Sequence, residues 1–405
     1  MKRRCVVFLY DYPFRAGEPF METEIWYLSK TFEEVIVFPI LVNKKESQTR
    51  PLPKNVKAVP LQIRRCRFIN ILKGFFSLPR RIQRSRKNFK AFLADTYSKG
   101  RQVAAYKAAL AYLKSVHFDA NDTVVYSYWL TCAMSAVLLR DYFLEHGCVN
   151  ASAVSRGHRY DIYAERNSVN HVPLQECALN QLDYVAVCSA DGRKYLQNKY
   201  PSLSLKIGLS RLGTMDHGLA SWDPAAKKTL LTCSSLMPVK RVSLFAQAFS
   251  LLSKSMPDLR WICIGDGPER EAVEQALRKG GVEDRVIMKG RLPNTEVYRL
   301  YAEESVDYFV NVSSSEGVPV SIMEAESFGI PIMATDVGGS GEIVDNANGR
   351  LLPSELTPES LAQALLEELT LSDEKRKEKR LASRRVWEKM ASSENYAEWA
   401  AFLSR

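Results

Sequence analysis

Residues 313–344 read SSSEGVPVSIMEAESFGIPIMATDVGGSGEIV. The stretch closes one apolar run, turns at Gly317, and opens a helical pattern with Pro319 near its start, where a missing N–H costs nothing. A helix over 319–328 is predicted, followed by a strand over 330–335. The backbone N–H groups of Gly317, Val318 and Val320 are then left over at a helix N-terminus, and the helix dipole adds positive partial charge. That combination suits an anion such as phosphate. Glu316 precedes the turn, and Glu324 follows eight residues later inside the helix. A carboxylate at Glu324 can accept two hydrogen bonds from a vicinal diol such as a ribose.

The flanking sequence repeats this strand–helix alternation. Short apolar runs at 229–233, 260–264, 285–288 and 307–312 are separated by amphipathic stretches at 241–253, 269–279 and 294–303. Such alternation gives a parallel sheet with helices on both faces, and ligands bind at the C-terminal ends of its strands. The N-terminal half carries strand-like runs at 5–10, 35–39, 124–126, 151–155, 184–188 and 205–209. Between the halves, GTMDHGLASWDPAAKK, residues 213–228, has turn residues and little periodicity and is expected to be the domain linker. Residues 383–403 form an amphipathic helix or two, anchored by Trp387, Tyr396 and Trp399.

The 405 residues suffice for two full cores, and 46% hydrophobic with 25% charged residues excludes a disordered or collagen-like chain. No apolar run reaches the 18 or more residues that a membrane-spanning helix needs. The opening MKRRCVVFLYD has too short an apolar segment for a secretory signal and is expected to be the first strand. The eight cysteines form no C-x-x-C pair and no cluster with histidine, which suits buried, reduced thiols and argues against a zinc site. Walker A and G-x-G-x-x-G spacings are absent, and so is any D-x-D triplet that could hold a divalent cation on a diphosphate.

The net charge of +10 is concentrated. Thirteen of the 56 Lys and Arg fall within residues 47–94, which hold no Asp or Glu, so the rest of the chain is near neutral. Within 64–93, ten cations alternate with side chains such as Phe68, Phe75, Phe76 and Phe89. A cationic stretch with aromatic residues suits an anionic membrane surface. No nucleic-acid-binding motif accompanies the charge, and no nucleic-acid partner is expected. A pair of solvated helices packed on its own domain is the other reading of this segment.

The segment 313–344 resembles the donor site of the retaining glycosyltransferases of glycosyltransferase family 4, and the likeness extends along most of the chain. IGDGPER, residues 264–270, is similar to the family's Gly-rich turn, with Gly265, Asp266 and Gly267. CSSLMPVKRVSLFAQAF, residues 233–249, is similar to the first strand, loop and helix of its donor domain. There the family has an Arg and, five residues on, a Lys, both on the donor diphosphate. Lys240 falls on the Lys, Ser235 on the Arg, and Arg241 adjoins. YDYPFRAGEPFMETEI, residues 10–25, resembles the family's first strand–loop–helix, with Gly17 and Glu18 in the loop; a glycine there lets backbone approach a ligand. SRGHRYDIYAERN, residues 155–167, resembles the segment whose His and Asp face the donor; His158 and Asp161 match.

The resemblance implies a GT-B fold: two doubly wound Rossmann-like α/β domains facing each other across a cleft. Domain one is expected over 1–212, with the basic insert at 47–94. Domain two is expected over 213–382, and residues 383–405 return to domain one. The implied function is transfer of a sugar from a nucleotide-sugar donor to an acceptor hydroxyl with retention, the acceptor being a glycan or lipid-linked. The implied catalytic residues are His158, Glu316 and Lys240. The implied donor-binding residues are Gly17, Asp161, Ser235, Arg241, Gly265, Asp266, Gly267, Gly317, Val318, Pro319, Val320 and Glu324. No cofactor or metal is expected. The protein is expected to be cytoplasmic and peripheral at the inner face of the membrane, held there by residues 64–93. An epimerase or phosphorylase of the same architecture, or a non-catalytic membrane-bound assembly subunit, remain alternatives.

Overall fold

The apolar runs become two all-parallel sheets. The structure is a computed structural model that describes residues 3–43, 45–61, 63, 70, 71, 74, 89–167 and 169–405. Most of the basic segment 64–93, including Phe75, Phe76, Arg80, Arg81, Arg84 and Arg86, lies outside the described residues. The first sheet contains β1 (Arg4–Leu9), β2 (Glu34–Pro39), β3 (Val56–Ala58), β4 (Thr123–Ser127), β5 (Ser152–Gly157), β6 (Tyr184–Val187) and β7 (Ile207–Leu209), in the order β3-β2-β1-β4-β5-β6-β7. The second contains β8 (Thr229–Cys233), β9 (Arg260–Ile264), β10 (Val286–Gly290), β11 (Tyr308–Asn311), β12 (Ile332–Thr335) and β13 (Gly349–Leu352), in the order β10-β9-β8-β11-β12-β13.

In both sheets the winding reverses once, between β1 and β4 and between β8 and β11. At such a reversal the connecting helices leave on opposite faces, and a crevice opens beyond the C-terminal strand ends. Burial on both faces explains why the strands read as continuous apolar runs. In β1, Val6 and Phe8 enter one core with Ile36 and Val125, while Cys5, Val7 and Leu9 enter the other with Val35, Val124 and Trp399.

The chain divides into unit 1, residues 1–212 with 393–405, and unit 2, residues 213–392. The expected return at residue 383 is displaced. The helix Asp373–Met390 runs through that point and belongs to unit 2, where Trp387 donates to Thr214 Oγ1 at 2.7 Å and Ser383 to the Ile330 carbonyl at 2.7 Å. The return begins at Ser393, which receives the Tyr27 hydroxyl at 2.9 Å, and the helix Glu394–Leu403 buries Tyr396 and Trp399 in unit 1. The stretch 213–228 is packed on unit 2: Trp222 lies under the guanidinium groups of Arg376 and Arg380, and Ala220 N–H bonds the Phe328 carbonyl at 3.0 Å.

Candidate functional site

In unit 2, the loops that leave β8, β9, β11 and β12 meet beyond the C-terminal strand ends, and backbone contact sets their spacing. Gly265 has φ of 135°, and a Cβ there would stand 1.8 Å from the Ser234 carbonyl oxygen. The loops after β8 and β9 touch through this gap, and the Leu236 amide bonds the Asp266 carbonyl at 3.0 Å. Asp266 receives its own neighbour, the Gly267 amide, at 2.8 Å. Gly338 has φ of 57°, and a Cβ there would stand 1.9 Å from the Glu316 carbonyl oxygen. The DVGG turn after β12 is thereby pressed against the EGVP turn after β11, with Gly339 N–H on the Gly317 carbonyl at 2.6 Å.

This frame brings Lys240 and Glu316 together. Lys240 ends a 3-10 turn, Pro238–Lys240, and its Nζ donates to Glu316 Oε1 at 2.5 Å. Asn311 Nδ2, at the end of β11, donates to the same oxygen at 3.3 Å, a partner the sequence reading did not single out. Beside the pair, the helix Val320–Ser327 begins with Pro319 as its N-cap. Among the described residues, the amides of Gly317, Val318 and Val320 donate no hydrogen bond. Four turns of chemistry are therefore assembled at one sheet end: a cation, a carboxylate, open amides and a helix N-terminus.

Glu324 lies in the same helix and accepts the Tyr298 hydroxyl at 2.8 Å. Burial pushes its carboxyl up to about 7, against the pull of the Tyr298 hydrogen bond. Ser235 is exposed on the β8 loop. Arg241 is corrected from the expectation. It sits in a left-handed turn with φ of 50°, and its guanidinium donates to the carbonyls of Val312 at 2.6 Å, Ser313 at 3.2 Å and Ser354 at 2.8 Å. It ties the end of β11 and is committed to the fold, so it does not replace the cation missing at Ser235.

In unit 1, the loops after β1, β4 and β5 converge in the same way, but two carboxylates there, Glu18 and Asp161, accept backbone amides of these loops. A Cβ at Gly17 would lie 2.3 Å from Asp11 Oδ1, so its small size makes room for Asp11. The neighbouring Glu18, with φ of 54°, turns its carboxylate inward to accept the amides of Tyr10, Asp11 and Tyr12 at 2.7, 2.8 and 2.8 Å and Trp129 Nε1 at 2.6 Å.

Asp161 is likewise corrected from a donor contact to a loop anchor. It is fully buried and accepts the amides of Leu130 at 2.6 Å and His158 at 2.7 Å. Burial pushes its carboxyl up to about 7 despite these bonds. His158 follows β5 and is only 8% exposed, packed between Tyr128 and Trp129 with ring centroids 4.6 and 4.5 Å away. Its Nε2 donates to the Tyr128 carbonyl at 3.1 Å, and its Nδ1 lies 3.5 Å from Cys188 Sγ. Burial, then the charge of Arg156, pushes its pKa down to about 3. At neutral pH it is an uncharged imidazole with both nitrogens partnered inside unit 1.

Comparison with known proteins bears on unit 2 most directly. Residues 227–370 match the family described as "Glycosyl transferases group 1". Among curated relatives, the UDP-N-acetylglucosamine–peptide N-acetylglucosaminyltransferase GtfA subunit of Streptococcus agalactiae is 29% identical over 174 residues, 42% of this chain and 32% of that protein. The N-acetyl-alpha-D-glucosaminyl L-malate synthase of Bacillus anthracis is 28% identical over 158 residues, 39% of this chain and 36% of that protein. The matched part is thus about a third of each relative's length. Over the whole fold, the lipopolysaccharide outer core galactosyltransferase WaaB in its apo form superposes with a TM-score of 0.70 at 17% identity, covering 98% of this chain and 99% of that one. The chain therefore has the GT-B fold, and its residues 227–370 are similar to the glycosyl transferases group 1 family.

Proposed function

We propose that this chain is a retaining glycosyltransferase of family 4 that moves a sugar from a UDP-sugar to an acceptor hydroxyl. The observation that carries the reading is the Lys240–Glu316 contact of 2.5 Å set beside the open amides of Gly317, Val318 and Val320. A diphosphate needs a cation and oriented donors where its charge grows, and Lys240 with the three amides supports that reading. UDP-linked sugar is the donor in the name of the streptococcal relative.

In the reaction the bond between the sugar's anomeric carbon and the phosphate oxygen breaks, and its electron pair stays on the diphosphate. Lys240 and the amides take up that charge. The acceptor oxygen bonds the anomeric carbon from the same face, and its proton passes to the departing phosphate oxygen. Glu316 holds the donor sugar hydroxyls, and Glu324 holds the ribose. His158, uncharged at neutral pH, moves no proton in this scheme. No divalent metal is assigned a step, so turnover should survive excess chelator.

The proposal extends to residues 64–93 holding the protein at an anionic membrane surface, with a glycan or lipid-linked acceptor in envelope synthesis. This part of the proposal rests on their ten cations, each worth about 1 kcal/mol near such a surface. Among the described residues no helix is long and apolar enough to cross a membrane. Anionic vesicles should retain the protein in a salt-dependent way while neutral ones do not.

The deciding experiment titrates UDP, GDP and ADP against the protein by calorimetry, then measures sugar release from the matching nucleotide-sugars. Lys240→Met should lower turnover on the order of a hundredfold, the usual cost of losing one preorganised charge-stabilising group. Unchanged turnover in that variant, or no nucleotide binding by wild type, sinks the reading.

A further inference from the structure

Unit 1 has a half-open cavity of about 680 Å³ at the C-terminal ends of β1 and β4, walled by the helix Phe89–Ser115 and by Asn167, Val169 and 171–173. That size falls within the range of small-molecule sites and fits one or two sugar rings. Among the described residues its wall carries two cations, Lys90 and Arg101, and no Asp or Glu. Tyr10, Tyr97 and Tyr160 add aromatic surface.

The polar groups of the wall differ in how they are used. The Thr131 hydroxyl and the Tyr10 hydroxyl bond each other at 2.6 Å. Gln102 accepts the Met134 amide at 2.8 Å and donates to Ser98 at 3.0 Å. His171 bonds Asp95 at 2.6 Å. Arg101 stands apart. Among the described residues it makes no hydrogen bond and no ion pair, and its Nη2 is buried without a partner. Its guanidinium is steadied against the Tyr97 ring at 5.7 Å. Arg101 is half-buried, and its one buried nitrogen without an acceptor carries a desolvation cost that a ligand oxygen would relieve.

We propose that this cavity takes an acceptor bearing a phosphate or carboxylate next to a sugar ring, and that Arg101 selects it by a two-pronged hydrogen bond. The proposal rests on the glycosyltransferase reading for the word acceptor, but the binding it asserts is independent of turnover. A planar guanidinium matches both anions bidentately, whereas a neutral sugar leaves it unpaired. Lys90 adds long-range attraction from the exposed start of the helix.

The test is calorimetry on the full chain with glucose, glucose 6-phosphate, glucuronate and hexyl glucuronide, each sample also titrated with UDP. Glucose 6-phosphate or glucuronate should bind at least tenfold more tightly than glucose, and more weakly as salt rises. Arg101→Met should remove that preference while wild-type hydrogen-exchange protection of the β4 and β5 amides shows unit 1 to be folded. If Arg101→Met does not fold, Arg101→Lys and Lys90→Gln serve, each weakening the anionic sugars several-fold and glucose not at all. A gain from the hexyl chain assigns a lipid-linked source of the anion, and no gain assigns a soluble one. Equal binding of glucose and glucuronate, or an unchanged preference in the Arg101 variants, overturns the proposal. UDP binding without anionic-sugar binding overturns it alone, whereas absence of UDP binding strikes the reading of unit 2.

Discussion

His158 and Asp161 hold opposite shifts three residues apart, and this has a measurable consequence. Burial takes His158 down to about 3 and Asp161 up to about 7. Unfolded, they titrate near 6.5 and 3.8. Between about pH 4 and 6.5 the unfolded chain therefore binds one proton on the histidine, and the folded chain binds one on the aspartate. Proton numbers match, and the pair contributes no slope to stability in this window. Separately, the His158 term is present above 6.5 and lost as pH falls toward 3; the Asp161 term is present below 3.8 and lost as pH rises toward 7. Asp161→Asn removes only the second. The variant should then lose about 1.4 kcal/mol per pH unit on acidification relative to wild type, or about 3 kcal/mol from pH 6.5 to 4.5. Groups shared by both proteins cancel in the difference. The assay is hydrogen exchange of the β5 amides at three pH values, corrected for intrinsic rates, because it reads unit 1 without assuming that the whole chain unfolds together. Parallel pH profiles for variant and wild type would falsify the assignment of a neutral Asp161.

Three further outcomes follow from the geometry. Glu316→Gln should tighten UDP about tenfold, because Lys240 no longer surrenders a charged hydrogen bond, at the lower end of about 1.5–3 kcal/mol given its partial exposure, while turnover falls; calorimetry beside a turnover assay reads both, and weaker UDP binding would contradict it. UDP affinity should rise from pH 6 to 8 as the Glu324 carboxyl, near 7, ionises and becomes the stronger acceptor, and Glu324→Gln should flatten that dependence. Arg156→Met should destabilise unit 1 by about 3–5 kcal/mol in urea melts, since it strands the fully buried Glu24, 3.5 Å away, without its counter-charge.

The donor-like frame of unit 2 was legible because backbone constraints write themselves into sequence. Gly265 and Gly338 stand where no Cβ fits, and Pro319 stands where a helix starts. Side-chain direction was not legible. Lys240 and Arg241 are adjacent cations in sequence, yet the left-handed turn at Arg241 sends one to Glu316 and the other to three backbone carbonyls. Asn311 reads as the tail of an apolar strand until β11 places it on Glu316. The short strands β3 and β13 carry too few residues for a period, and β13 opens on Gly349, which lies against the Ile332 backbone. The helix Phe89–Ser115 buries Thr96, Lys99, Gly100 and Gln102 among its alanines, so its inward face carries little apolar signal.

The two units solve the same local problem differently, and the difference indicates which of them is built for an anion. Loops beyond the C-terminal ends of parallel strands collect amides that need acceptors. Unit 1 meets that need from within: Glu18 takes three successive amides after β1, and Asp161 takes those of Leu130 and His158. An incoming phosphate would have to displace a carboxylate already seated there. In unit 2 the acidic side chain beside the corresponding turn, Glu316, points to Lys240 and Asn311 instead and leaves Gly317, Val318 and Val320 without an acceptor. The open amides, more than the glutamates alone, carry the proposal that unit 2 takes the diphosphate. Among the buried atoms that unit 1 leaves without a hydrogen-bond partner is Arg101 Nη2, beside a sugar-sized cavity, and the proposal gives it a smaller anion on a different molecule.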